Sequence, residues 1–227
     1  RDCLLSRGLG DVYKRQHLIF TSISDIIGYG GENMIKTTAM LLQELQSYRN
    51  PRDKLARMVQ NKECIPIIQG LYETDSSTPG YRLANCICTP SYLSFEFALS
   101  YHSLIPEAVY NFTSATFEKK KKKIYKTPFG VFTYRDVPSA VYPYGITCFS
   151  EQGYAIQIAS PEKALCDELY IQSPVASQGE LRELMFDGLR IDWDAFCKLS
   201  VEDVAFLSGK YHCTNIRKLQ KIMEKIA

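Results

Sequence analysis

Three groups of side chains have the types and spacing to do chemistry. The first is cationic: Arg49, Arg52, Lys54, Arg57 and Lys62 fall in one short stretch, and Lys119, Lys120 and Lys121 open a lysine run that continues to Lys123, with Lys126 beyond it. Clustered lysine and arginine can neutralise nucleic-acid phosphates, a contact that ignores sequence and weakens with salt. For the lysine run, a solvated loop that resists edge pairing is the competing expectation. The second group pairs acids with bases, Glu162 beside Lys163 and Asp136 beside Arg135. A metal nuclease needs carboxylates converging from neighbouring strands with a lysine close by. Glu162 and Lys163 are expected in the first turn of a helix and point in different directions, so no catalytic residue is assigned. The third group is the eight cysteines and the histidines at 17, 102 and 212. Only Cys86 and Cys88 are near one another, no CxxC pair occurs, and no histidine accompanies them, so neither metal nor cofactor is expected. His102 is expected at a helix end, bonded to backbone or water. A G-x-S-x-G elbow, a phosphate-binding glycine loop and a Cys-His pair in credible context are all missing from the sequence. A non-enzymatic protein is expected.

The elements that position the first group start at Asn50. Asn50 can cap a helix, Pro51 suits its first position, and Asp53 can meet unpaired backbone N–H groups in the first turn. Leu55, Met58 and Val59 recur at helical spacing and predict a core face, leaving Arg52, Lys54 and Arg57 outside. After Cys64, Ile65, Ile67 and Ile68 followed by Gly70, Leu71 and Tyr72 predict a strand, a tight turn and a second strand. Helix then two-stranded wing is the arrangement of a winged helix, with Tyr72 on the wing as a candidate DNA contact. Upstream, Met40, Leu41, Leu42 and Leu45 predict one short helix, giving two helices before the wing where most winged helices have three.

Beyond the wing, residues 74–80 form a loop, and short helices are expected over Tyr81 to Cys88 and from Ser94, a candidate cap, to Tyr101. The period becomes two between residues 107 and 159, predicting an antiparallel sheet of four or five strands with helices on one face and a hairpin turn at Ser150 to Gly153. Ser160, Pro161 and Glu162 open a helix with capping hydroxyl, proline and first-turn acid in order. The remainder, to residue 227, reads as a series of helices, Ser200 with Asp203 forming a capping-box variant. The fold class is α+β, with a small N-terminal winged-helix-like module at 34–80 and a mixed domain with an antiparallel sheet and a helical C terminus at 81–227.

The net charge is only +2, so nucleic-acid affinity has to come from local patches and not the whole molecule. No apolar run is long enough for a membrane span, and scattered cysteines fit reduced, mostly buried residues of a cytoplasmic protein. Residues 1–33 are expected to be non-native. The chain opens on Arg1, Asp11 to Gln16 read DVYKRQ, which resembles a translated sequencing-adapter end, and Gly30 to Asn33 can be encoded by a ribosome-binding site ahead of Met34. The alternative is an amphipathic tail containing residues 17–27.

Several residues then align with a known pattern. Gly70, Leu71 and Tyr72 at the wing, Ser94 with Ala98 and Leu99, the Thr127 to Gly130 step, and Ala159 with Pro161, Glu162, Lys163, Ala164, Leu165 and Asp167 occur in this order. In these features, from about residue 35 to the end, the chain resembles the AbiEi antitoxins of type IV toxin-antitoxin systems, which are bacterial phage-defence modules. The resemblance implies a winged helix that binds operator DNA and represses its own operon. It also implies a C-terminal domain that counters a nucleotidyltransferase toxin of the AbiEii type, with direct contact between the two left open. It departs from the pattern in its shortened N terminus, which bears on operator binding more than on antitoxin function. The alternative is an interaction protein that does not bind DNA and acts on a partner through residues 81–227.

Overall fold

The computed structural model describes residues 35–226; the expectations for residues 1–33 lie outside them. Strand β1 (Lys36–Thr37) leads into helices α1 (Thr38–Glu44) and α2 (Pro51–Gln60), and then into the hairpin β2 (Ile65–Ile68) and β3 (Leu71–Glu73). These strands make an antiparallel sheet in the order β1-β3-β2. Gly70 takes a left-handed φ of 85° between the hairpin strands, a conformation that favours glycine. Leu41, Leu45, Leu55 and Cys64 form a small core under the two helices, with Leu42, Met58, Val59 and Tyr72 packed against it.

Helix α3 (Gly80–Ile87), strand β4 (Tyr92–Leu93) and helix α4 (Phe95–Tyr101) follow. Then come strands β5 (Asn111–Thr116), β6 (Lys123–Thr127), β7 (Gly130–Asp136), β8 (Ile146–Glu151) and β9 (Tyr154–Ala159). The large sheet has six strands in the order β6-β7-β5-β4-β9-β8. It is mixed and not antiparallel as expected, because β5 pairs with β7 and β4 with β9 in parallel. One strand in particular hid this from the sequence. Strand β4 is only two residues long and sits before the alternating region, yet both its side chains are buried and it joins the two halves of the sheet. The β8–β9 hairpin turns at Gln152 and Gly153, both with positive φ, as its turn residues anticipated.

The C-terminal layer is helical: α5 (Pro161–Ile171), α6 (Gln178–Arg182), a π-helical turn (Glu183–Gly188), α7 (Trp193–Phe196), α8 (Val201–Tyr211) and α9 (Thr214–Met223). Serine and aspartate caps start most of them; Ser160, Ser177, Asp192 and Ser200 each accept a backbone N–H three residues on. Helix α9 has the amphipathic pattern read from its sequence, with Ile216, Leu219 and Ile222 buried. The fold is α+β. No helix among the described residues is long and apolar enough to cross a membrane.

Candidate nucleic-acid interface and a buried polar centre

Helix α2 forms where expected, but its start differs in one respect. Asn50 makes no side-chain cap; its amide instead donates to the Asp53 carboxylate at 2.6 Å. Arg52 and Arg57 are exposed and Lys54 is half-buried, with its ammonium 5.6 Å from the centre of the Tyr48 ring. Residues on an α-helix succeed one another by about 100°. Lys54 and Arg57 therefore share one flank, about 60° apart, while Arg52 lies about 140° round from Arg57. Asp53, one turn before Arg57, shares the exposed side. The basic residues thus straddle the helix and do not form the single uninterrupted face expected of them. Arg49 and Lys62 are exposed at either end of the helix. Tyr72 is not on an open surface: it pairs with Pro66 and Lys36 in the small sheet and packs against the small core.

The lysine run is part loop and part strand. Lys119 is half-buried and donates to the Thr89 carbonyl at 3.3 Å, whereas Lys120 and Lys121 are exposed. Asp136 holds the bend by accepting from the Lys120 N–H at 2.7 Å and from the Thr116 hydroxyl at 2.6 Å. Lys123 begins β6, where the burial alternates and leaves Ile124 and Lys126 on the open side. Residues of β2 approach those of β6, so the wing and the lysine strand are neighbours.

The wing is also tied to the larger sheet. Glu73, at the end of β3, is fully buried. One carboxylate oxygen accepts from the backbone N–H groups of Thr74 and Asp75, and the other accepts from the Tyr154 hydroxyl of β9 at 2.7 Å. Beside it, Arg82 pairs with Glu151 at 2.7 Å and donates to Gln152 at 2.6 Å.

Two of the residues singled out in the Ala159 to Asp167 segment, Lys163 and Asp167, converge with Ser94 in one place. On helix α5, Lys163 and Asp167 form an ion pair of 3.2 Å with neither side chain exposed. The Asp167 carboxylate accepts from the Tyr92 hydroxyl at 2.9 Å, from Ser94 at 2.6 Å and from Tyr211. The Lys163 ammonium donates to Tyr211 at 2.5 Å and lies 4.7 Å from the centre of that ring. Ser94 therefore spends its hydroxyl on Asp167 and makes no side-chain cap to α4. Burial pulls the Lys163 amine below its ordinary range, against the attraction of Asp167, and pushes the Tyr92 and Tyr211 phenols well above theirs. Neither tyrosine nor the serine was picked out with Asp167 as one cluster from the sequence, since nothing in their spacing joins four separate elements.

Pro161 takes the first helical position, as expected. Glu162 does not close its own helix start. Its carboxylate accepts from the backbone N–H of Ser200 at 3.1 Å and anchors the beginning of α8. It thus supplies the reciprocal acceptor that Asp203 was expected to offer, while Ser200 accepts from the Asp203 N–H at 3.1 Å.

His102 is bonded to the Ala159 carbonyl at 2.7 Å through Nε2. Two open depressions, about 440 and 370 Å³, meet beside it at Ser103 and Asp192. Their acids already have partners: Glu107 pairs with Arg190, Glu162 binds the Ser200 N–H, and Asp192 caps α7. Cys64, Cys88 and Cys166 are buried free thiols, while Cys148 and Cys197 are exposed. No group of histidine, cysteine, aspartate and glutamate among the described residues could hold a metal ion. The chain matches no known family model and no curated protein sequence.

Proposed function

We propose that the protein is a non-catalytic, DNA-binding regulator acting as the antitoxin and autorepressor of a type IV toxin-antitoxin operon, in the cytoplasm, as its resemblance to the AbiEi antitoxins implies. The observation that carries the DNA-binding part is the passage from helix α2 straight into a three-stranded antiparallel sheet, with Arg49, Arg52, Arg57 and Lys62 all exposed on that module. Such a module offers a helix to a major groove and a wing to the adjacent phosphates. Lys54 and Arg57 form the flank that meets the duplex, and Lys120, Lys121 and Lys126 lie beyond the wing to extend the phosphate contacts. The antitoxin part is supported by the meeting of Ser94, Lys163 and Asp167 in one buried centre. A shared motif with a common packing role accounts for residues that are far apart in sequence yet joined in space.

The test is a gel-shift titration of the full chain with duplex DNA from upstream of its own reading frame, against a scrambled duplex, at two salt concentrations. Co-expression with a nucleotidyltransferase toxin of the AbiEii type tests the antitoxin half. Preferential retardation and restored growth support the reading; equal binding to both duplexes together with no rescue rejects it.

One observation favours a second reading. Asp53 lies on the exposed side of α2 between the basic flanks, which weakens attraction to a polyanion. An interaction protein acting through residues 81–227 would rescue growth while the full chain shifts no operator DNA.

A further inference from the structure

Helix α5 carries three side chains of ordinarily charged type with almost no exposure, Lys163, Asp167 and Glu168, and their charges do not balance. Lys163 and Asp167 neutralise one another, and the remaining acceptor positions of Asp167 are filled by Tyr92, Ser94 and Tyr211. Glu168 has no such arrangement. One of its oxygens accepts from the Gln172 amide at 2.7 Å, and the other has no hydrogen-bond partner.

The cation beside Glu168 is Arg135 of β7, and it is already occupied. Both its terminal nitrogens are bonded to the Glu96 carboxylate of α4, at 3.0 and 3.2 Å. Among the described residues, Arg135 is the one cation that acts on this carboxyl. Helix α4 presents Glu96, α5 itself presents Asp167, and the neutral Gln172 follows at its C-terminal end. Strand β4 and helix α8 bring the Tyr92 and Tyr211 hydroxyls, both committed to Asp167. Helix α9 contributes the neutral Asn215, whose amide donates to the Leu169 and Ser173 carbonyls, and Lys218, which is turned to the Val175 carbonyl. An ionised Glu168 would be a buried negative charge beside two others, with one oxygen lacking a donor.

We propose that Glu168 is a proton-operated latch between helices α5 and α4, closed when the carboxyl is neutral and loosened when it ionises. Burial, reinforced by Glu96, pushes this carboxyl up to about 7, with Gln172 and Arg135 acting in the opposite direction. The proton therefore leaves near neutrality and not in the usual carboxylate range. On ionisation Arg135 is drawn from Glu96 toward Glu168, and the ion pair that holds α4 to β7 is shared between two acids. Because Ser94 enters α4 directly from its bond to Asp167, the loosening reaches the start of that helix.

The experiment measures backbone hydrogen exchange in α4 and α5 of the full chain between about pH 5 and about pH 8, corrected for the intrinsic pH dependence of exchange. The original sequence, Glu168→Gln and Glu96→Gln are compared, and the Glu168 carboxyl carbon resonance is titrated in parallel. Protection of α4 and α5 should fall several-fold through neutrality in the original sequence and stay level in Glu168→Gln. In Glu96→Gln the fall should move to lower pH. The same pH dependence in Glu168→Gln, or a Glu168 resonance titrating in the usual carboxylate range, overturns the proposal. If Glu168→Gln does not fold, the Glu96→Gln shift and the resonance decide: an unmoved transition in Glu96→Gln overturns it as well.

Discussion

Ser94 donates its hydroxyl to Asp167 at 2.6 Å across 73 positions of sequence, binding the entry of helix α4 to the middle of helix α5. With Tyr92, Tyr211 and Lys163 it forms a centre in which the two charges face each other and each hydroxyl donates to the Asp167 carboxylate. Centres of this kind respond unequally to single and paired changes, since removing one partner leaves the other buried and alone.

Asp167→Leu, which strands the Lys163 ammonium, should therefore destabilise the protein by about 3–5 kcal/mol. The Lys163→Met, Asp167→Leu double variant should lose clearly less than Asp167→Leu alone. Urea midpoints of the three proteins check this, and a double variant less stable than Asp167→Leu would refute it.

Stability should depend on pH in a definite direction. The Glu168 carboxyl is raised from 4.5 in the unfolded chain to about 7 in the fold, so the folded state holds more protons between those values. Its contribution is fully present below the unfolded value and is lost as pH rises through the folded one. The loss amounts to about 3 kcal/mol at most, on about 1.36 kcal/mol per pH unit. Denaturant titrations at acidic and neutral pH should show it in the original sequence and not in Glu168→Gln.

Lys54→Ala with Arg57→Ala should weaken binding to the upstream duplex strongly and flatten its salt dependence by about one unit of slope for each phosphate no longer neutralised. Arg52→Ala, on the opposite flank, should change the slope less. Unchanged gel-shift affinity in the double variant would show that this flank does not face DNA.

The lysine strand separates in the same way. Replacing Lys120 and Lys121 with alanine should lower the salt slope without altering sequence preference, because phosphate contacts position a protein and do not read bases. Lys119→Ala should do less, since that ammonium is turned to the Thr89 carbonyl. Filter binding over a range of salt distinguishes them.

Tyr154→Phe removes the donor to a fully buried Glu73 oxygen. It should cost about 1–3 kcal/mol, the usual penalty for an unsatisfied buried acceptor. Thermal unfolding of the variant measures this, and an unchanged midpoint would mean that the acid finds another donor.

Local rules made much of the molecule readable in advance. Pro51, Ser160 and Ser200 mark helix starts that the structure keeps, and Gly70 and Gly153 mark turns with the backbone they require. What stayed hidden is non-local. Strand β4 is too short to show a period, yet its two residues join β5 to β9 and supply one of the two parallel pairings of the sheet. Ser94 looks like a helix cap and is a hydrogen-bond donor to a distant acid. The placing of Arg52 away from Arg57 was available from helical geometry alone; grouping basic residues by closeness in sequence obscured it. The buried centre left its sequence trace on α5, where Lys163 and Asp167 stand one turn apart, and at Ser94, while Tyr92 and Tyr211 left none.

The Glu73 to Tyr154 bond bears on how a duplex could be approached. A module on a flexible tether can search for its target independently and drag its body behind it. Here the wing ends in a carboxylate sealed inside the larger fold, next to the lysine strand. The wing and the lysine strand would therefore reach a duplex as one stencil of fixed spacing, and DNA whose backbone curvature does not match that spacing would be rejected before any base is read.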